Sequence, residues 1–399
     1  MTGTARETTL VAPDAAPLLT ILRDGVPRTR AQLAELTGLA RSTIAARIDS
    51  LTITGLVAPA GDDVSSGGRP PARIAFNPSS RIVIAVDLGA THGVVALADL
   101  AGTILQSESR RILISDGPEV VLDWALSTAR ALFSASGRPD SDLLGIGIGV
   151  PGPVEHSTGT PVNPPIMPGW DRFDIPAYVH RTFDVPVLVD NDVNLLALGE
   201  HATAWPEQLD LLFVKIATGI GAGIINGGRL QRGAQGSAGD LGHVRVPFGA
   251  GTPSHGAQDA DLEALASGPA IARALTAAGI RAETSEDVVT LARTGNPAVL
   301  QAIRQAGRDL GEVVATCVNL LNPSVVVVGG SLSRVGEQLL AGVREVVYQR
   351  STPLATQYLT ITQSRAGEMG GVLGAAIMVI QNALDPDAER RAPSRSLGR

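Results

Sequence analysis

One cysteine stands in 399 residues. Cys317 therefore has no partner for an intrachain disulfide, and a cysteine-built metal centre is excluded with it. Its setting, EVVATCVNLL, is an apolar helical run, so it reads as a buried, inert thiol rather than a nucleophile. Lysine is equally scarce. Lys215 is the only one among 32 basic residues, which reads as coding bias rather than chemistry. No stretch reaches 18 apolar residues without a polar interruption, and the N-terminus lacks a hydrophobic core. Neither a membrane span nor a signal peptide is expected, so the cytoplasm is the expected compartment. A net charge of −7 excludes a general polyanion binder. The excess acid lies beyond residue 80, because residues 1–80 hold eight Arg against seven acids. A local basic face on that first part remains open.

What is present is glycine, 45 residues of it, in a chain that is 44% hydrophobic and long enough for two or three domains. Glycine collects in turns that follow apolar runs. IVIAVDLGATHG (82–93) is the stretch on which the rest is organised, and VPGP (150–153), ATGIGAG (217–223) and VVGGS (327–331) repeat the device. A strand ending in Gly and Thr leaves backbone N–H groups and a hydroxyl free to meet phosphate or sugar oxygens. One such turn is weak evidence. Four in one chain, with an Asn-Asp pair between them, point to a ligand cleft.

Residues 1–13 read as disordered, and 14–79 as a separate module. Leu18, Leu19, Ile21 and Leu22 form an apolar stripe ending near Gly25, and a second helix spans about Arg30 to Thr37 before Gly38. A third runs from about Arg41 to Thr52, with Ile44, Ile48 and Leu51 on one face. This spacing predicts a helix-turn-helix whose third helix offers Arg41, Ser42, Thr43 and Arg47 to DNA. GLVAP and PARIAF follow as a hairpin, with Arg69 on the tip between them, placed for minor groove or backbone. The alternative is a small helical domain that binds protein.

From Arg81 short apolar strands alternate with helices, which means α/β. Two such halves leave a cleft between them. Asp192 follows Asn191 where the run VPVLVDN ends. A carboxylate there can take the proton of a sugar hydroxyl that attacks phosphorus, though Asn-Asp also makes an ordinary helix cap.

The segment TRAQLAELTGLARSTIAARIDSLTITGLV, followed by SGGRP, resembles the winged helix-turn-helix of the ROK family, which unites repressors, open reading frames and sugar kinases. The resemblance covers about residues 15–380. It implies an actin-like/hexokinase-like duplicated ATPase fold over 80–383, behind the N-terminal winged helix-turn-helix domain. Lobe one would be about 80–198 plus a final helix near 368–381, lobe two about 199–367, and 384–399 a disordered tail. DNDVNLLALGE resembles the kinases' catalytic segment, which implies Asp192 as base, Asn191 on sugar and Asn194 bracing the turn. Asp87, Gly89 and Thr91 resemble the first phosphate motif, with Ala90 where a second glycine is usual. Thr218, Gly219, Gly221 and Gly223 resemble the second, and Gly329 and Gly330 the adenosine-facing segment. ATP and magnesium follow only if kinase activity is retained.

GDLGH (239–243) resembles the family's sugar and metal segment, with Asp240 in place of the usual Glu, and His243 on sugar and zinc. Glu263 matches a sugar-binding Glu. The family's three cysteines are missing from GTPSHGAQDADLE, where Ser254, Gly256 and Asp261 are approximate counterparts. His243, His255 and Asp261 leave zinc short of its four ligands, so zinc is not expected. NPPIMPGW resembles a rim of the sugar site, with Asn163 as a hydroxyl ligand and Trp170 as lid or core. The function implied is a DNA-binding regulator, a repressor of carbohydrate metabolism, that answers to a sugar or sugar phosphate and works as a homodimer or tetramer on operator DNA. The alternatives are an ATP-dependent hexose kinase with a tethered DNA-binding head, and a regulator controlled by a protein partner.

Overall fold

The structure is a computed structural model that describes residues 10–62, 72–246 and 261–385. Its N-terminal module holds α1 (Ala16–Leu22), α2 (Arg30–Thr37) and α3 (Arg41–Ile53) over a small sheet. Thr29 caps α2 by a reciprocal capping box with Gln32, and Gly38 ends it in the left-handed conformation. The sheet is three-stranded where a hairpin is expected: β1 (Arg28–Thr29) pairs with β3 (Ala72–Phe76), which pairs with β2 (Val57–Asp62). Two residues are too short to register in a sequence pattern. Val11, in the stretch expected to be disordered, is buried against this module at 1% exposure.

Asn77 ties β3 to the end of α3, its N–H donating to Leu56 O at 2.8 Å and its Nδ2 to Gly55 O at 3.1 Å. Five residues later the chain enters β4 (Ile82–Leu88), whose residues are all buried. The module's core is continuous with that of the body. Leu18, Leu33, Ile44 and Ile48 belong to the same apolar cluster as Val83, Leu100 and Val327.

Beyond it the same sheet is built twice. In lobe one, β5 (His92–Asp99) and β6 (Ile104–Arg111) run antiparallel on one side of β4. On the other side β7 (Leu143–Val150) and β10 (Val187–Asn191) run parallel. The long helix α4 (Pro118–Ala135), the short pair β8 (Val154–Glu155) and β9 (Thr160–Pro161), and α5 (Ile175–Val179) fill the connections. In lobe two, β12 (Ile220–Asn226) pairs antiparallel with β11 (Leu211–Ile216) and β13 (Arg229–Gln231) antiparallel with β12, while β14 (Val325–Gly329) pairs parallel with β11 and β15 (Thr360–Gln363) parallel with β14. The order is the third, second, first, fourth, fifth strand in both sheets. That repetition is the duplicated hexokinase-like fold. Helices α7 (Leu262–Ala266), α8 (Gly268–Ala277), α9 (Ser285–Ala292), α10 (Pro297–Leu321), α11 (Glu337–Arg350) and α12 (Pro353–Thr356) complete the second lobe.

The fifth strand of each sheet leads into a helix that joins the lobes. α6 (Asp192–Ala204) follows β10, and α13 (Gly370–Leu384) follows β15. α6 packs on β11 and β12 of lobe two, whereas α13 packs on β4 and β7 of lobe one. The two helices cross in near backbone contact. A Cβ added at Gly374 would lie 1.8 Å from Leu195 O, and one at Gly199 2.1 Å from Gly370 O. Glu200, fully buried, fastens the same crossing by accepting from Ser364 Oγ at 2.7 Å, Ala366 N at 2.9 Å and Trp205 Nε1 at 3.2 Å. By length and hydropathy the stretch Gly367–Leu384 is apolar enough to cross a membrane, but 56% of it is buried inside the protein. Its last residue, Leu384, placed at the start of the disordered tail by sequence, is buried at 7% exposure.

Candidate functional site

The ends of β4 and β10 meet at β7. A methyl built on Gly149 would lie 3.5 Å from Asp87 Oδ1 and 3.8 Å from the Asp192 Cα, so the two carboxyl-bearing residues face one another across that glycine. Both are about 6% exposed. Asp87 also packs against the first turn of α13, where a Cβ at Gly371 would fall 2.1 Å from its Oδ2. Burial pushes the Asp87 carboxyl up to about 6. The charge of Asp192 adds to the rise, and His92 and Lys215 oppose it. His92 Nε2 stands 3.9 Å from Asp87 Oδ2.

Lys215 is the residue that sequence reasoning missed. It sits on β11 between two glycines, Gly221 on one neighbouring strand and Gly329 on the other. Its ammonium is ion-paired with Asp192 Oδ2, and its side chain is 21% exposed. The available signal was a single charged residue inside the apolar run LLFVKI, just ahead of a glycine turn.

Asn191 is the N-cap of α6, accepting from Val193 N at 2.9 Å, and its Nδ2 donates to Gly152 O at 2.7 Å. One residue earlier, Asp190 is 2% exposed and takes Arg232 Nε at 2.6 Å, Asn194 Nδ2 at 2.8 Å and the Asn191 N–H at 2.8 Å. Arg232 follows β13, so this bond clasps the loop leading to Gly239–His243 onto lobe one. His156 Nδ1 lies 3.6 Å from Asp190 Oδ2. Burial, with Arg232 beside it, lowers the pKa of its imidazole and favours the neutral ring. None of Asp190, Arg232, His156 and Glu200 stood out in the sequence, because pairing across more than 30 residues leaves no local pattern.

A second group forms around Glu263 on α7. Its Oε2 accepts from Ile220 N at 3.0 Å, and a Cβ at Gly219 or Gly242 would lie 2.9 or 3.1 Å from it. The carboxylate thus holds the Thr218–Gly221 turn, and Thr218 itself is exposed. Gly239 has φ 95°, and a Cβ there would strike Ala222 O at 2.0 Å, so only glycine brings Asp240 and His243 round to this side. Both side chains are exposed, and His243 Nδ1 is 3.9 Å from Asp261 Oδ2. At the far side, Gly330 takes φ 85° after the buried Gly329. Gly89 is buried and Thr91 exposed at the end of β4.

Some expected residues are not brought into these groups. Asn163 is exposed, with φ 46°, and its N–H is held by Asp171 Oδ1 at 2.7 Å. Trp170 is core: it is fully buried and donates from Nε1 to Ile114 O at 3.0 Å. Arg69, Ser254, His255 and Gly256 lie outside the described residues, as do the stretches 1–9 and 386–399. On α3, Arg41 and Ser42 are exposed and Thr43 half-buried at an N-terminus that no side chain caps. Arg47 departs from the expected open face. Its side chain is only 19% exposed, with Nε 3.6 Å from Asp14 Oδ2, because the turn before α1 folds over it.

The sequence pattern of the ROK family matches residues 83–382. The chain belongs to the ROK family. Among ROK relatives, a putative xylose repressor of Caldicellulosiruptor sp. strain Rt8B.4 is 30% identical over 370 residues, spanning 89% of this chain and 92% of that one. A ROK family transcriptional regulator, described as a homologue of the E. coli MLC protein, superposes with TM-score 0.80 at 25% identity, covering 94% of this chain and 96% of its own. A ROK family glucokinase from Streptomyces griseus, solved with glucose and AMPPNP, gives TM-score 0.60 at 28% identity, covering 98% of itself but 74% of this chain. The cysteines of the family's zinc segment are absent from the sequence, whose single cysteine is Cys317. Among the described residues no three His, Cys, Asp or Glu side chains are placed to hold a metal ion. The glycines Gly219, Gly329 and Gly330 are packed on the protein's own atoms, since an added Cβ would meet Glu263 Oε2 at 2.9 Å, Phe213 Cζ at 2.3 Å and Ile216 O at 2.5 Å.

Proposed function

We propose that this ROK protein is a DNA-binding transcriptional regulator, a repressor, that reads a sugar or sugar phosphate in the cleft between its lobes and binds its operator as a homodimer. The observation that carries this reading is the winged module fused to the kinase-like body through a shared core. The likeness to a ROK regulator includes that module, whereas the glucokinase likeness covers 74% of the chain. The open end of α3, with Arg41 and Ser42, faces phosphates and base edges in the major groove. The five-residue connection from β3 to β4 gives ligand-driven movement of lobe one a short path to the DNA-binding end. For a ligand to release DNA it must bind the non-binding arrangement more tightly, since equal affinity shifts nothing.

The test is fluorescence anisotropy with DNA from upstream of the protein's own gene, titrated with xylose, glucose and N-acetylglucosamine and their phosphates. Arg41→Ala should weaken DNA binding by about tenfold or more and leave sugar-induced thermal shifts unchanged. Operator affinity that no sugar alters, alongside a stable complex with another protein, would favour a protein effector instead. The second reading, a sugar kinase, is supported by Asp192 at the strand end and the glycine turns. It predicts sugar-dependent release of ADP that Asp192→Asn abolishes.

A further inference from the structure

Sugar phosphorylation at such a cleft requires a definite proton path. The sugar hydroxyl gives its proton to a carboxylate while its oxygen bonds to the γ-phosphorus of ATP, and the bond from that phosphorus to the β–γ bridging oxygen breaks, releasing ADP. Asp192 is the carboxylate positioned for this, at the start of α6 and buried beside Asp87. Its Oδ2 is already taken by the Lys215 ammonium. Lys215 cannot easily swing elsewhere. It issues from a strand paired on both sides, its stem is mostly covered, and its charge also acts on Asp87.

We propose that Lys215 disarms Asp192: by holding Oδ2 of the carboxylate that would receive the hydroxyl proton, it makes the cleft hold a hydroxylated ligand without phosphorylating it. The inference rests on the reading of the cleft as a sugar site. A sensor gains by this, because a ligand that is not consumed reports its own concentration.

The experiment uses the full chain as wild type, Lys215→Thr, and Lys215→Thr combined with Asp192→Asn. Thermal shift with xylose, glucose and N-acetylglucosamine measures binding, and sugar phosphate formed from ATP measures transfer. The expected result is a bound sugar that the wild type leaves unphosphorylated and that K215T phosphorylates about a hundredfold faster than the double variant, the scale of general-base catalysis. Wild-type phosphorylation of the sugar it binds overturns the proposal. So does a K215T protein that binds sugar but forms no more product than the double variant. If none of the sugars binds the wild type, the cleft reading falls with the proposal, and that failure is distinct. Lys215→Met, which keeps the volume of the stem, replaces K215T if the latter does not fold. The pair itself is tested without any ligand. Lys215 is the only ε-amine in the chain, so its acetylation by acetic anhydride, followed by peptide mapping, should be several-fold faster in D192N than in wild type. Equal rates overturn the pairing.

Discussion

Lobe one and lobe two are copies of one strand plan, yet the equivalent positions carry opposite charges. Asp87 is the next-to-last residue of β4 and pairs with Gly149 on β7. Lys215 is the next-to-last residue of β11 and pairs with Gly329 on β14. Each lies beside the first turn of the helix that joins the lobes from the other side: Asp87 against Gly371 of α13, Lys215 on Asp192 of α6. One cation placed against two buried carboxylates makes the cluster tolerable, because buried charge without a partner is strongly unfavourable.

The largest test of this likeness is the helix crossing, where the two lobes are most alike. Gly374→Ala and Gly199→Ala should each lower stability by about 3 kcal/mol, since the added carbon meets backbone rather than a side chain that can turn away. Urea unfolding measures it, and a tolerated substitution at either glycine would break the comparison. Next comes Glu200, which only α6 possesses. Glu200→Ala should lose about 2 kcal/mol by orphaning the N–H groups of Arg365 and Ala366 and the Ser364 hydroxyl.

The sign difference itself is read by pH. Asp87 titrates near 6 when folded against an ordinary 3.8, so the folded protein holds the extra proton between those values. Its contribution to stability is present below about pH 4 and is lost as pH rises through about 6. Asp87→Asn should remove that decline, so the variant gains on wild type between about pH 4 and pH 7 in urea melts. The smallest effect lies outside the lobes. Arg47→Ala should reduce DNA affinity less than Arg41→Ala and lower stability by about 0.5 kcal/mol, through loss of its partly exposed contact with Asp14.

Much of this was open to sequence reasoning. The apolar run 82–88, the glycine turns and the helical spacing of Ile44, Ile48 and Leu51 stand where their local patterns put them, and the final helix packs on the first half as the family resemblance implied. The Asn191 cap and the change from β10 to α6 between Asn191 and Asp192 were legible for the same reason. Lys215 was not, since rarity in composition says nothing about direction, and its partner lies 23 residues away on another element. Trp170 could be lid or core until the position of Ile114, 56 residues earlier, was known.

The sequence by itself determined the periodicities, the turns and the caps, because these depend on neighbours a few residues apart. From them follow two α/β lobes behind a helix-turn-helix head. Only the tertiary structure decided which charges meet: Lys215 with Asp192, Arg232 with Asp190, Glu200 with the loop after β15, Arg47 with Asp14. Such pairings depend on distances that the folded chain alone creates, and the free energy of a charge is set by what surrounds it rather than by what precedes it in the chain.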